Sequence, residues 1–387
     1  MSYLWNLPTK VLFGPDMLYA LKKEKMPGKK AMLIISTGNS VKRNGSFNAV
    51  LSQLQDLGIE TEIFAGVSAN PTAEALDEGA RRIREAGCDF LIGLGGGSVL
   101  DSATILSAVA PQTGCVWDYA FGGTGGRQPL VNKPLPYIAI TTSAGTGSEV
   151  DCVGVVTNSA THEKLGVKGE FPVLAIVDPK LTITVPPDYT AYQGFDALFH
   201  STEGYISRLC NEAAEIVELA AIRNIAAYLP RCVEDGTDLE ARTKVSFANT
   251  MSGYSMELSS CTSEHAMEHA MSGLHENLPH GAGLIMISLA YYTRWIRAHV
   301  CDDRFIDMAK AMGKADASDP MDFVDALRTL EEKCGVENLR MSDYGITEEE
   351  LPLLADIAMT ALGGMFRCDR LVMTREDVIG IFRDSYR

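Results

Sequence analysis

Residues 89–101 read DFLIGLGGGSVLD. The opening DFLIGL is an apolar run of the length of a buried strand. Gly95, Gly96 and Gly97 follow in a row, and Ser98 begins a stretch with helical spacing. Strand, glycine turn and helix in that order bring backbone N–H groups close to whatever binds at the turn. The helix N-terminus adds favourable electrostatics for a phosphate. A plainer reading is a tight turn and a helix cap, because Ser98 and Asp101 have capping-box spacing. Three successive glycines exceed what a cap requires. The loop is not the G-x-G-x-x-G of a first Rossmann turn, because Ser98 stands at its last position.

The same rhythm extends to both sides. AMLII (31–35), TEIFAGV (61–67), PYIAITT (136–142) and LAIVDP (174–179) read as further short strands, and AEALDEGARRIREAG (73–87) as an amphipathic helix ending at Gly87. Strands alternating with helices at this spacing predict a parallel sheet covered on both faces. After Pro186 and Pro187 the pattern becomes helical, with hardly a β-rich segment. The expected division is an α/β dinucleotide-binding domain over 1–187 and an all-helical metal-binding and catalytic domain over 188–387, with a cleft between them as the default ligand site.

Composition excludes several classes. The formal net charge is −16, which argues against nucleic acid or an anionic membrane as partner. No apolar run is long enough to span a bilayer, and the N-terminus has no signal-peptide pattern. Nine cysteines, an odd and dispersed count without a C-x-x-C pair, suggest reduced thiols and a cytoplasmic location.

Two more loops bear on a cofactor. TTSAGTGSEV (141–150) is small and hydroxyl-rich, suited to a cofactor's phosphates or carboxamide, or equally to a surface linker. STGNSVKR (36–43) follows the first good strand without an acid. An NAD site usually places Asp or Glu at the ribose 2′-hydroxyl, whereas small and basic groups accommodate a 2′-phosphate. Gly38 and Ser40, followed by Lys42 and Arg43, therefore favour NADP(H) over NAD(H) if this strand carries the ribose; otherwise the stretch is an ordinary polar turn.

Four of the seven histidines fall within SEHAMEHAMSGLHENLPH (263–280). His265 and His269 are four apart and share a helix face, as do Asp196 and His200 in FDALFHSTEGY (195–205). Either pair alone is commonly a solvated or satisfied polar group. Together with His280, Asp196, His200 and His265 make one carboxylate and three imidazoles, a set suited to Zn²⁺ or Fe²⁺. His269, one turn beyond His265, could be a further ligand, but proton transfer is its better use. His275 either lines the same cleft or faces solvent, while His162 and His299 have no pattern around them. A metal that polarises a carbonyl, a nicotinamide and a proton relay add up to alcohol–aldehyde interconversion.

At this point the chain resembles the iron-containing (group III) alcohol dehydrogenases over essentially its full length. The resemblance rests on GGGSVLDSA (95–103), TTSAGTGSEV, FPVLAIVDPKLT (171–182), GFDALFHSTEGY (194–205) and the H-x-x-x-H…PHGAGL block (265–284). It implies the two-domain plan shared with dehydroquinate synthase. It also implies a metal at Asp196, His200, His265 and His280, and a relay at His269. Cofactor contacts are implied at Gly96, Gly97, Ser98, Thr141 and Thr142, with Asn70 and Lys164 also matching. A homo-oligomer, such as a dimer, is implied too. Within the family the chain is most similar to the butanol dehydrogenase and NADPH-dependent aldehyde reductase branch, acting on small aldehydes or primary alcohols. Thr104 departs from the lysine that many members carry, and the 269–280 segment is one residue longer than in some.

Other readings remain at this level: polyol dehydrogenation on the same architecture, a metal-dependent hydrolase with purely structural glycine loops, or a metal-binding protein without catalysis. A phosphorylated substrate would need cations near the metal, and neither 194–205 nor 263–284 contains Lys or Arg.

Overall fold

The computed structural model describes residues 3–387, which form two compact units: one is Asn6–Thr184, and the other is Val185–Arg387 together with the N-terminal residues up to Trp5. The first contains nine strands: β1 (Lys10–Phe13), β2 (Lys30–Ser36), β3 (Glu60–Val67), β4 (Phe90–Gly95), β5 (Ala120–Phe121), β6 (Tyr137–Thr141), β7 (Val153–Thr157), β8 (Lys164–Lys168) and β9 (Leu174–Val177). Six of them form a parallel sheet in the order β1-β9-β6-β4-β2-β3.

Each central strand is an unbroken apolar run because both its faces are covered. Ala31–Ile35, Phe90–Leu94 and Tyr137–Ile140 are buried throughout. Register aligns Leu33 with Ile92 and Ile92 with Ile138, so the core of one face runs straight across the sheet. The chain moves outward from β2 to β3, then crosses back through β4, β6 and β9. The direction of winding therefore reverses between β2 and β4. In open α/β sheets a reversal of this kind leaves a crevice at the carboxyl ends of the strands.

β1 and a small antiparallel sheet, β5-β8-β7, were not anticipated from the sequence. The small sheet explains why the helix Gly97–Val109 is buried almost all round. One side of it packs on β4 and the other on β7. Thr104 belongs to this packing. Its side chain is fully buried, donates to Leu100 O at 3.1 Å and accepts from Tyr137 Oη at 2.8 Å.

Among the described residues no strand follows β9. The second unit is built from helices, beginning with Pro187–Ile206, whose first residue is the proline that helix starts favour. It continues with Glu212–Glu234, Leu239–Leu258, Ser263–Leu274 and His280–Arg297, and then five further helices. Its core is aromatic: Phe199 stacks on Tyr292, which meets Phe305 and Phe323 edge-on. Among the described residues no helix is long and apolar enough to cross a membrane. All nine cysteines are free thiols.

Candidate metal centre

The helix Pro187–Ile206 is buried at every residue from Gly194 onward, so its polar groups there lie in the protein interior. Asp196, His200 and Glu203 are spaced i, i+4, i+7 and share one face of it. The helix Ser263–Leu274 is likewise buried from Ser263 to Gly273 and carries His265, Glu268 and His269. His280 is the first residue of the helix His280–Arg297, immediately after Pro279.

These three helices bring the expected groups onto one atom. Asp196 Oδ1 lies 3.5 Å from His200 Nδ1, 3.5 Å from His265 Nε2 and 3.5 Å from His280 Nε2. That is long for hydrogen bonding. It is close to the roughly 3.4 Å edge of a tetrahedron around an ion with metal–ligand bonds of about 2.1 Å. Asp196 Oδ1 and His265 Nε2 are buried and have no hydrogen-bond partner in the protein. Buried polar atoms of that kind call for an explanation, and a bound cation supplies one for both. The donor set, one carboxylate oxygen with imidazole nitrogens, fits a divalent Fe or Zn ion.

Two carboxylates behind the histidines escaped the sequence reading. Glu203 accepts from His265 Nδ1, and Glu268 accepts from His280 Nδ1. With Nδ1 of each ring so engaged, Nε2 is the atom turned toward Asp196. Glu203 also accepts the N–H and the hydroxyl of Thr262, both at 2.7 Å. The signal for Glu203 was present, one turn past His200 on the same face. Glu268 was hidden because it serves His280, twelve residues away, not the neighbouring His265.

Electrostatics point the same way. Burial opposes ionisation of Asp196, but His200 and His280 outweigh it and hold its carboxyl well below the usual range. Burial pulls His265 down, yet Cys261, Glu203 and Asp196 together push it well above the usual imidazole value. Glu203 and Asp196 thus favour the protonated His265 ring, and a divalent ion at Nε2 would take the place of that proton. Glu268→Gln keeps the shape and removes the charge behind His280. It is expected to weaken metal affinity about 10- to 100-fold without changing the fold, read by competition against a chelator and by circular dichroism.

The remaining histidines separate. His269 is buried, its ring centroid 5.3 Å from that of His280 and 6.4 Å from that of His265. Its ligand atom also groups with those of Glu268 and His280. His275 ends its helix and turns to Glu350, 3.5 Å away, apart from the cluster. His162 and His299 are exposed. A thiol that the sequence reading passed over, Cys261, groups with His200 and His265.

In the first unit, the expected cofactor residues gather at the carboxyl ends of four adjacent strands. Gly38 and Ser40 follow β2, Asn70 follows β3, Gly96–Ser98 follow β4, and Thr141 and Thr142 close β6. Gly96 is the N-cap of the helix Gly97–Val109 and no side chain caps it. The capping-box reading of Ser98 and Asp101 fails. Ser98 Oγ instead donates to Ala69 O, and Asp101 accepts from Ser148 Oγ at 2.7 Å and Val155 N at 3.0 Å. Those bonds tie the 68–70 and 141–150 loops to the glycine turn. A Cβ on Gly97 would stand 2.3 Å from Thr146 Cγ2, so the close fit of the two loops depends on that glycine. Lys164, at the start of β8, lies opposite Thr157, which bridges to Thr72 beside the Asn70 loop.

Comparison with known proteins agrees over both units. The family model for iron-containing alcohol dehydrogenase matches residues 8–179, and that for the C-terminal part of the Fe-containing alcohol dehydrogenase family matches 190–386. The chain is 31% identical over 398 residues to a probable NADH-dependent butanol dehydrogenase 1 of Bacillus subtilis (strain 168), covering 98% of each. It is 30% identical to a 1,3-propanediol dehydrogenase of Citrobacter freundii, covering 100% of both. Among solved structures, the archaeal halo-thermophilic Red Sea brine pool alcohol dehydrogenase ADH/D1 superposes with a TM-score of 0.92 at 32% identity, covering 100% of this chain and 99% of that one.

Proposed function

We infer, from the premise that this chain belongs to the iron-containing alcohol dehydrogenase family and is a metal-dependent NAD(P)H alcohol dehydrogenase, which residues do which work. Asp196, His200, His265 and His280 hold the divalent ion, Fe²⁺ or Zn²⁺. The observation that carries this is the convergence of three imidazole nitrogens on Asp196 Oδ1, each at 3.5 Å. When bound, the metal supplies Lewis acidity at a carbonyl or hydroxyl oxygen, and the nicotinamide supplies or accepts hydride.

The chain's own residues do the rest. Glu203 and Glu268 fix the orientation of His265 and His280. His269 exchanges the hydroxyl proton, which a buried imidazole one helical turn from the ligands is placed to do. The glycine turn and the uncapped helix N-terminus at Gly97 hold the pyrophosphate, and Thr141 and Thr142 line the same edge. The segments 194–205 and 263–284 contain no Lys or Arg, which favours a small uncharged aldehyde or alcohol over a phosphorylated one. The similarity to a 1,3-propanediol dehydrogenase makes a short diol the natural second substrate to test.

The loop after β2 supports NADP(H). It has no acid for a ribose 2′-hydroxyl, and it carries Lys42 and Arg43 next to Gly38 and Ser40. NADH is the competing outcome, since relatives bear that cofactor in their names. The test is nicotinamide absorbance on protein stripped with chelator and reloaded anaerobically with Fe²⁺ or Zn²⁺, given small aldehydes with NADPH or NADH. We expect turnover only after metal loading, and faster with NADPH. Faster turnover with NADH discards the 2′-phosphate argument and leaves the reaction intact. Nucleotide binding without turnover in any metal form defeats the assigned roles.

A further inference from the structure

Cys261 has no part in the chemistry described so far. It lies in the turn between the helices Leu239–Leu258 and Ser263–Leu274. Ser260 before it adopts φ +69°, a left-handed conformation unusual for a residue other than glycine, and this reverses the chain sharply. Thr262 after it is pinned by its two hydrogen bonds to Glu203. Held between them, Cys261 is 7% exposed, and its Sγ, one ring nitrogen of His200 and one of His265 all lie within 4.8 Å of one another. The His200 and His265 rings are stacked, with centroids 4.3 Å apart. Among the described residues no other cysteine joins a group of ligands.

A buried cysteine is ordinarily a small apolar filler. Here its neighbours are donor nitrogens, and one ring of its group, His265, has an Nε2 that is buried with no hydrogen-bond partner. We propose that Cys261 is a further metal ligand of this centre: its thiolate forms with His200 and His265 an alternative nitrogen–sulfur position that shares both histidines with the Asp196–His200–His265–His280 position, one ion taking one position or the other. The proposal rests on the reading of the cluster as a metal centre.

The chemistry of the two positions differs. Carboxylate oxygen and imidazole suit Fe²⁺ and Mn²⁺, whereas a thiolate draws Zn²⁺ and Co²⁺. Binding at sulfur breaks the S–H bond, forms a metal–sulfur bond and releases the proton to solvent, with no change of oxidation state. The centre therefore discriminates between metals through Cys261, and thiophilic ions gain more from it than hard ones.

Cobalt reports both halves of the argument. Titration of the metal-stripped protein with Co²⁺ should give visible d–d bands together with a thiolate-to-cobalt charge-transfer band in the near ultraviolet. Cys261→Ser and Cys261→Ala should each keep the d–d bands and lose the charge-transfer band. In Cys261→Ser, Zn²⁺ affinity should fall about tenfold or more while Mn²⁺ affinity changes little, the size expected for one ligating group at a metal site. In the wild type, Zn²⁺ should protect Cys261 from alkylation. Visible bands without charge transfer in the wild type overturn the proposal and leave the metal centre standing. A charge-transfer band that survives both substitutions assigns it to another thiol and overturns it. Equal losses for Zn²⁺ and Mn²⁺ show a merely structural cysteine and overturn it. No visible band at all overturns the metal-centre reading as well.

Discussion

His265→Ala is expected to cost the protein its bound divalent ion and its turnover together. His265 is the one histidine that enters both the group with Asp196 and His280 and the group with His200 and Cys261. It is 3% exposed, its Nδ1 is engaged by Glu203, and its Nε2 faces Asp196 Oδ1 at 3.5 Å. Alanine removes the donor and leaves Glu203 and Asp196, two buried carboxylates, with less compensation. If Lewis-acid stabilisation of the reacting oxygen supplies roughly 4 kcal/mol, turnover falls about a thousandfold or more. Metal content by elemental analysis and nicotinamide kinetics should fall in step, and excess Fe²⁺ or Zn²⁺ should restore neither. His269→Ala separates the roles. It should keep the metal at wild-type stoichiometry and lose about 10²- to 10⁴-fold in turnover, the range for a general acid–base group. Full metal content in His265→Ala would sink the ligand assignment, and metal loss in His269→Ala would make that residue a ligand.

The contrast between the two histidines shows what the sequence could and could not convey. Spacing of four residues puts two side chains on one helix face, so the pairs 196/200 and 265/269 were legible. That His265 turns to Asp196 while His269 stays one ring further out follows from how three helices cross, which periodicity does not encode. Glu268 sits between the two histidines yet serves His280, and Cys261 lies in a turn outside any helical repeat. The fold divides in the same way. β2, β3, β4, β6 and β9 were legible because they are apolar runs punctuated by turns. β1 was missed because it is only four residues long, with Lys10 exposed and the next three residues half-buried. β7 and β8 each contain a glycine, and β5 has only two residues. Their place is set by tertiary fit. A Cβ on Gly154 would stand 2.3 Å from Asp101 O, and one on Gly169 2.9 Å from Thr104 O. The small sheet can therefore lie close on the helix Gly97–Val109 only because those positions lack side chains.

Gly281 carries the same constraint into the metal centre, and its replacement by alanine should also have a large effect. In Pro279-His280-Gly281 the glycine is not needed for an unusual backbone angle, since it has none. It is needed for proximity. A Cβ there would stand 2.1 Å from Tyr192 O and 2.6 Å from Tyr192 C, main-chain atoms that cannot rotate away. Tyr192 lies one turn before Asp196 on the helix Pro187–Ile206. An ordinary C···O contact is about 3.3 Å, so the start of the helix His280–Arg297 must retreat by more than about 1 Å. His280 is the residue before Gly281, and its Nε2 is 3.5 Å from Asp196 Oδ1. Ligand distances in a metal site tolerate only about ±0.2 Å, so His280 drops out of coordination. Gly281→Ala should lower turnover about 100-fold, the scale of a 1 Å misplacement, and overpacking should lower stability by about 1–3 kcal/mol. Two further variants decide whether the route is the one argued. In a His280→Ala background Gly281→Ala should cost little additional metal affinity, because the ligand it displaces is already gone. Gly380, inside the helix Arg375–Ser385 with open space where its Cβ would go, should respond with the opposite sign. Gly380→Ala should stabilise by about 0.4–1 kcal/mol and leave metal content unchanged. If Gly281→Ala binds metal like the wild type, the close approach at Tyr192 does not set the position of His280.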